Sequence, residues 1–353
     1  LRPIAITGLQ PEERLLFGCL KQHLNETEAS ALAATFENEP IVWEAVFSIA
    51  FVQGVAPLVH VNLIKCSEKG LTVPTETMKN FESCRLAAEK LNGHRSEKLK
   101  EILLFFSGSG EDVMLLKGAA YDAIVFQEPA LTVSGDIDLL VRCGADHFTE
   151  SQLHYIYGFN VKESFEISFQ GHHDLDLNQT LLLDYRQLWD DAQSVEMFGS
   201  TFFVMAPEDL LIFACVNSSR KRFFHLKALL NISEIVRMHP IIDWDVVASK
   251  SRLYGCEKIV FAALLVAFCT VGCSAPKNLS DLFGINFLRL KLIRYLVENM
   301  SFSDLADRTL CLNGGASATR LTDKAKWNRS GLLLLGVYSG GQVMRRLSAL
   351  FRG

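Results

Sequence analysis

Apolar residues recur at three- and four-residue steps through most of the first hundred positions, the spacing that lines one face of a helix. Glu12 to Leu24 carries this pattern, then Glu26 to Phe36, then Ile41 to Gln53. Pro74 opens a longer run to about Phe106. It places Met78, Phe81, Leu86, Ala87, Leu91, Leu99, Ile102 and Leu103 mostly three or four apart, with only Gly93 interrupting. Proline at the start of such a run suits the first turn of a helix. An all-helical region over residues 1–107 is predicted.

The pattern changes at Ser107-Gly108-Ser109-Gly110, a loop signal. Val113 to Leu116 then reads as a short buried strand, Ala119 to Phe126 as a helix, Pro129 to Gly135 as a loop and Ile137 to Val141 as a second strand. Asp146 to Tyr157 is a helix candidate, and Phe159 to Asn178 reads as two or three strands with Gly171 at a turn. Strand, helix, strand, helix and further strands predict a mixed sheet, an α+β domain over residues 108–206. Pro207-Glu208-Asp209 starts another helix, with acids placed at the positive end of the dipole. Helical spacing dominates to about residue 300, so residues 207–353 are predicted to be a C-terminal helical region with a basic tail.

Composition narrows the class. The 353 residues are 49% apolar and 21% charged, enough to bury a core throughout, with no signature of disorder. The longest apolar runs, Leu332 to Tyr338 and Val260 to Cys269, are shorter than the roughly 18 residues of a membrane-spanning helix. No basic-then-apolar leader is visible, so no secretion signal is expected. Nine singly placed cysteines argue against a disulfide framework and predict a reducing, cytoplasmic setting. Cys269 and Cys273 are expected to be two core residues on one helix face rather than half of a metal site. The net charge is −5, yet eleven Lys/Arg stand against four Asp/Glu from Arg289 onward. Overall acidity disfavours strong nonspecific nucleic-acid binding, while the basic tail suits either a solvated helix face or a surface for phosphates or an anionic membrane.

The candidate chemistry lies in SGDIDLLV. On a strand, Asp136 and Asp138 point to one face, about 6.5–7 Å apart at Cα. Two carboxylates on an apolar strand repel unless something positive sits between them, and a divalent cation meets that need. A bare D-x-D is most often a strand end with two exposed acids. Two features strengthen the metal reading here. Lys117-Gly118-Ala119 lies between a strand and a helix N-terminus, where small residues let backbone N–H groups approach a phosphate. His172-His173-Asp174-Leu175-Asp176-Leu177-Asn178 alternates so that Asp174, Asp176 and Asn178 share a face, offering a third carboxylate.

These segments, in order, resemble the uncharacterised nucleotidyltransferase family of the polymerase-beta-like nucleotidyltransferase superfamily. The resemblance rests on LLKGAAYDAIVF, SGDIDLLV, HHDLDLN, LWDDAQSVEMFG and APEDLLIFACVN, then RKRFFHLKALLNISEIV, with WEAVFSIAFVQGVAPL upstream. It covers roughly residues 40 to 275. It implies a palm-like mixed-sheet domain flanked by helices, using Mg²⁺ and a nucleoside triphosphate. Asp136 and Asp138 match the family's metal-binding acids, and Asp176 best matches the third, with Asp174 the fallback. Gly118 and Ala119 match the phosphate loop, and Lys117 a lysine that contacts phosphate. The implied reaction is transfer of a nucleoside monophosphate from an NTP, such as ATP, to an acceptor hydroxyl on a protein, a small molecule or an RNA end.

The chain departs from the family's pattern in four places. The loop reads Gly-Ala rather than Gly-Ser. Thr132 stands where an arginine is common, Asn217 where a histidine recurs, and Asn231 where an aspartate recurs. These leave a second reading, a catalytically degenerate nucleotide-binding or interaction protein on the same scaffold. Arg220, Lys221 and Arg222 form a basic cluster that can reach a triphosphate or serve as a solvated loop. Lys227 is a further phosphate candidate. His172 and His173 suit a strand edge or an orienting role, and Tyr121 suits the core or a stack on a base.

Overall fold

The computed structural model describes residues 9–293 apart from 127, 129, 133–135, 163–164, 170–183, 221–222, 224, 275, 288–289 and 292. Five helices precede the sheet: α1 (Pro11–Cys19), α2 (Glu26–Phe36), α3 (Trp43–Val52), α4 (Ala56–Glu68) and α5 (Thr75–Ser109). Their starts follow local chemistry. Gln10 and Glu13 form a capping box on α1, and Asn25 and Glu28 another on α2. Helix α4 does not stand out in the hydrophobic pattern alone. Its signals are Pro57 in the first turn and the buried Leu58, Val59, Leu63 and Cys66. Helix α5 has 35 residues, a rod of about 52 Å. It stops at Gly110, whose φ of 76° is left-handed, the usual glycine C-terminal cap.

The sheet elements follow: β1 (Val113–Leu116), α6 (Lys117–Ile124), β2 (Ile137–Val141), a 3-10 turn at Ala145–His147, α7 (Glu150–Lys162), β3 (Phe165–Phe169), α8 (Tyr185–Asp190), β4 (Gln193–Met197) and β5 (Ser200–Val204). Both β1 and β2 match the expected strands. Helix α7 starts and ends later than expected. Residues 159–162, predicted as strand, continue it, because the buried Ile156 and Phe159 keep the helical step. The β4–β5 hairpin is not evident from the pattern alone. Phe198 and Gly199 both have positive φ, 54° and 80°, as a two-residue type I′ turn requires.

The sheet runs β3-β2-β1-β5-β4. Strands β1 and β2 are antiparallel, β1 and β5 parallel, β2 and β3 parallel, and β4 and β5 antiparallel. Every residue of β1 and β2 is buried, as central strands covered on both faces should be. Among the described residues the sheet has five strands, and the fold is α+β with a mixed sheet, as expected.

After the sheet come α9 (Pro207–Arg220), α10 (Leu226–Met238), α11 (Trp244–Leu253), α12 (Glu257–Thr270) and α13 (Leu279–Leu282). The apolar core is continuous from the N-terminal helices through the sheet to α12. Helix α9 is tied to α11 by a buried ion pair, with Lys250 Nζ 2.6 Å from Asp209 and Tyr254 donating to the same carboxylate at 3.0 Å. Cys269 lies in α12 but Cys273 lies beyond its end, so they do not share a helix face; Gly272, with φ 70°, turns the chain between them. No described helix is long and apolar enough to cross a membrane.

Candidate active site

Strand β1 runs directly into α6. Leu116 is extended and Lys117, the first helical residue, has a φ of 41°. That left-handed value costs an L-residue roughly 1–2 kcal/mol. Among the described residues no side chain caps the new helix, which leaves its first-turn N–H groups at the C-terminal end of β1.

Strand β2 places the acids. Asp136 sits just before it and is exposed, whereas Asp138 lies within it and is only 3% exposed. The sheet register does the rest. Asp138 is paired with Leu116 on the β1 side and with Glu166 on the β3 side. Neighbouring strands are about 4.8 Å apart, and paired residues project to the same face. Carboxylate oxygens of Asp136, Asp138 and Glu166 accordingly lie within 4.8 Å of one another. Lys117 turns its ammonium into this group, with Nζ 2.5 Å from Asp138 Oδ1 and 3.2 Å from Glu166 Oε2.

Three carboxyl groups meet around the Lys117 ammonium. The Asp138 carboxyl is pushed up to about 8. Burial is the main cause, the hydrogen bond with Glu166 adds to it, Lys117 pulls the other way and Asp136 adds a further push. Burial works to lower the Lys117 ammonium, but the attraction of Asp138 and Glu166 outweighs it and raises its pKa. The donor set is all oxygen and the Lys117 ammonium stands in for a cation, so the residues fit a hard divalent ion such as Mg²⁺.

The cluster lines a cavity of about 1000 Å³. One wall is apolar: Phe51 and Val52 from the end of α3, Pro57 from α4, and Ala87 and Leu91 from α5. Polar groups line the cavity as well: Asn217 of α9, His225 just before α10, and Lys227 and Asn231 of α10. Asn231 is buried, and its Oδ1 has no hydrogen-bond partner among the described residues. A buried polar atom of this kind is costly unless something else satisfies it.

The residues expected from the sequence fall into three groups. Lys117, Gly118, Asp136 and Asp138 all line the cavity, together with Lys227, Tyr121, Asn217 and Asn231. Lys117 contacts carboxylates, and Ala119 is buried on α6. Thr132 is buried too, its carbonyl accepting from Asn92 of α5 at 3.4 Å. Asp174, Asp176, His172, His173, Lys221 and Arg222 lie outside the described residues, as does the basic tail beyond residue 293; Arg220 ends α9.

Glu166 and His225 were not evident from sequence. Only the β2–β3 register reveals Glu166, because FEIS carries no metal-ligand spacing. Arg95, on α5, is a further basic group nearby: burial lowers its pKa while the charges of Asp136 and Asp122 oppose that.

A profile of the family described as uncharacterised nucleotidyltransferase matches residues 39–272. No curated protein and no solved structure matches the chain. The matched span covers all of the elements that build the cavity, and the chain belongs to this uncharacterised nucleotidyltransferase family.

Proposed function

Given that membership, we propose that the chain transfers a nucleoside monophosphate from an NTP to an acceptor hydroxyl, with Asp136, Asp138 and Glu166 holding the divalent cation. The observation that carries this reading is the convergence of three carboxylates from two adjacent strands on one large cavity. Asp176 remains a candidate for the same set. Bound there, Mg²⁺ would neutralise charge developing on the phosphate oxygens.

The protein's own groups would divide the remaining work. Phe51, Val52, Pro57 and Leu91 offer an apolar surface for a base, and Asn231 Oδ1 offers an acceptor for a base N–H. With a divalent cation held by the carboxylates, Lys117 would be free to contact the triphosphate, beside Gly118 and the first turn of α6. Lys227 and His225 face it from α10, and Arg220 and Arg222 are candidates to join them. The acceptor oxygen bonds to the α-phosphorus as the bond to the β-phosphate oxygen breaks, and pyrophosphate leaves. The hydroxyl proton passes to a carboxylate oxygen. Glu166, whose side chain is 44% exposed, is better placed to meet an incoming acceptor than the buried Asp138. Positioning and electrostatics supply most of the catalysis in reactions of this class.

Incubation with α-phosphate-labelled NTPs and Mg²⁺ tests the proposal. Label transferred by the native protein and not by Asp138→Asn supports it. Bound but unconsumed nucleotide would favour the second reading, a nucleotide-binding protein that no longer performs chemistry. The Lys117–Asp138 ion pair, which sets an ammonium on the cation position, is the observation that favours that alternative.

A further inference from the structure

The β1–β2 ladder has a second end, away from the cavity. Its antiparallel register pairs Leu116 with Asp138 at one end and Val113 with Val141 at the other. The pairing continues past the strands, because Arg142 N donates to Asp112 O at 2.9 Å and Arg142 Nη1 lies 3.0 Å from Asp112 Oδ2. One step further, the same register sets Glu111 beside Cys143. That point lies five residues along the chain from Asp138, about 17 Å in an extended strand.

There the chain turns back on itself. Cys143 is followed by Gly144 and the 3-10 turn, which brings His147 over the strand ends. A Cβ on Gly144 would lie 2.3 Å from Asp146 Oδ1, so glycine is what allows that carboxylate to fold back across the turn. Glu111, Cys143 and His147 each present one ligand atom, all within 4.8 Å of one another. Glu111 Oε1 is 3.6 Å from His147 Nδ1, and the Cys143 thiol hydrogen-bonds to Glu111. Cys143 is buried while His147 is exposed, which leaves the group a path to solvent.

We propose that Glu111, Cys143 and His147 form a second metal site, taking a borderline-soft divalent cation of the zinc class. A tetrahedral zinc with ligand bonds of about 2.0–2.3 Å separates its donors by about 3.3–3.8 Å, and the Glu111–His147 spacing falls within that range. One sulfur, one nitrogen and one oxygen suit zinc-class ions, whereas the carboxylates of the cavity suit Mg²⁺. Water or Asp146 would take the fourth position. Binding would clip together the chain entering β1, the chain leaving β2 and the turn that carries His147. Asp136, Asp138 and Glu166 belong to neither the ligand set nor the turn, so this site stands whether or not the chain transfers nucleotides.

Cobalt substitution tests it on the full chain. Protein stripped with chelator and titrated with Co²⁺ in excess Mg²⁺ should develop a thiolate-to-cobalt charge-transfer band that saturates at one equivalent and is displaced by Zn²⁺. The band should vanish in Cys143→Ser, weaken in His147→Ala and persist in Asp136→Asn. Because His147 is exposed, His147→Ala should keep the native circular dichroism, and Zn²⁺ should raise the Tm of the native protein by several degrees but not that of this variant. A native protein with no band, or a band of full intensity in Cys143→Ser, would overturn the assignment.

Discussion

At one end of the β1–β2 ladder stand three carboxylates and a lysine, beside a cavity of about 1000 Å³. At the other stand a carboxylate, a thiol and an imidazole on an open turn. The same two strands and the same register build both. The difference lies in what surrounds the donors. At the cavity end Asp138 is buried among other acids, so its carboxyl is pushed up to about 8 and the group is poised to gain from a cation. At the far end Cys143 is buried in the core, whereas His147 is exposed on the 3-10 turn that follows it. Each set has one buried donor, Asp138 or Cys143, but the all-carboxylate set lines a large cavity whereas the mixed set stands at a turn outside it, where a bound ion would clip chain segments together.

Five measurements would break or sharpen that contrast. The largest effect is expected at the cavity end. Asp136→Asn and Asp138→Asn should each lower label transfer by about 10²–10³-fold or more, the scale of losing a principal electrostatic stabiliser. Turnover within ten-fold of native in either would remove the metal-carboxylate assignment.

Next comes the identity of the third acid. Glu166→Gln should cost about 10²-fold in kcat, with Asp176→Asn measured alongside. A larger loss in Asp176→Asn would shift the third position to that residue.

The third is a stability effect that runs against activity. Asp138 holds its proton more tightly folded, at about 8, than its ordinary 3.8 in the unfolded chain. Its contribution is therefore fully present below about pH 4 and is lost as pH rises toward 8. In Mg²⁺-free buffer, Asp138→Asn should be more stable than native at pH 9 by on the order of 1 kcal/mol or more, with a smaller gap at pH 5. Denaturant midpoints at the two pH values provide the check, and a gap that shrinks as pH rises would contradict the burial argument.

Asn231→Ala, at a cavity-lining position on α10, should raise KM for the NTP several-fold and leave kcat nearly unchanged, consistent with a hydrogen bond of about 1 kcal/mol. A fall in kcat with KM untouched would place Asn231 nearer the reacting atoms than proposed. The smallest effect is expected from Arg142→Ala at the far end. Arg142 and Asp112 are both well exposed, so their ion pair is worth less than about 1 kcal/mol and turnover should not change. If turnover fell, the two ends of the ladder would be coupled through the strands.

Much of the cavity end was legible in the sequence. The D-x-D spacing and the two apolar strands mark Asp136 and Asp138 because strand alternation is a local rule. Lys117 and Gly118 stood out because a strand and a helix meet there with little chain between. Thr132, Asn217 and Asn231 stood out only as departures from a family pattern, and two of these, Asn217 and Asn231, line the cavity. Glu166 was not legible, since its place depends on how far α7 extends before β3 begins. The helical step in fact runs on to Lys162, past residues whose apolar content also suits a strand. Helix α4 and the β4–β5 hairpin were missed as well, although Pro57 and the Phe198–Gly199 turn carried usable signals.

Local periodicity and turn chemistry, written in the sequence, were enough to determine the α+β class, the two central strands and the pair of neighbouring acids, Asp136 and Asp138, that line the cavity. Tertiary structure alone decided that Glu166 comes beside them, that Lys117 turns inward to those acids, and that helices distant in sequence line a cavity with them. The reason is physical: a strand's own alternation is set by neighbouring residues, but register between strands and the meeting of helix faces are set by the burial of the whole core.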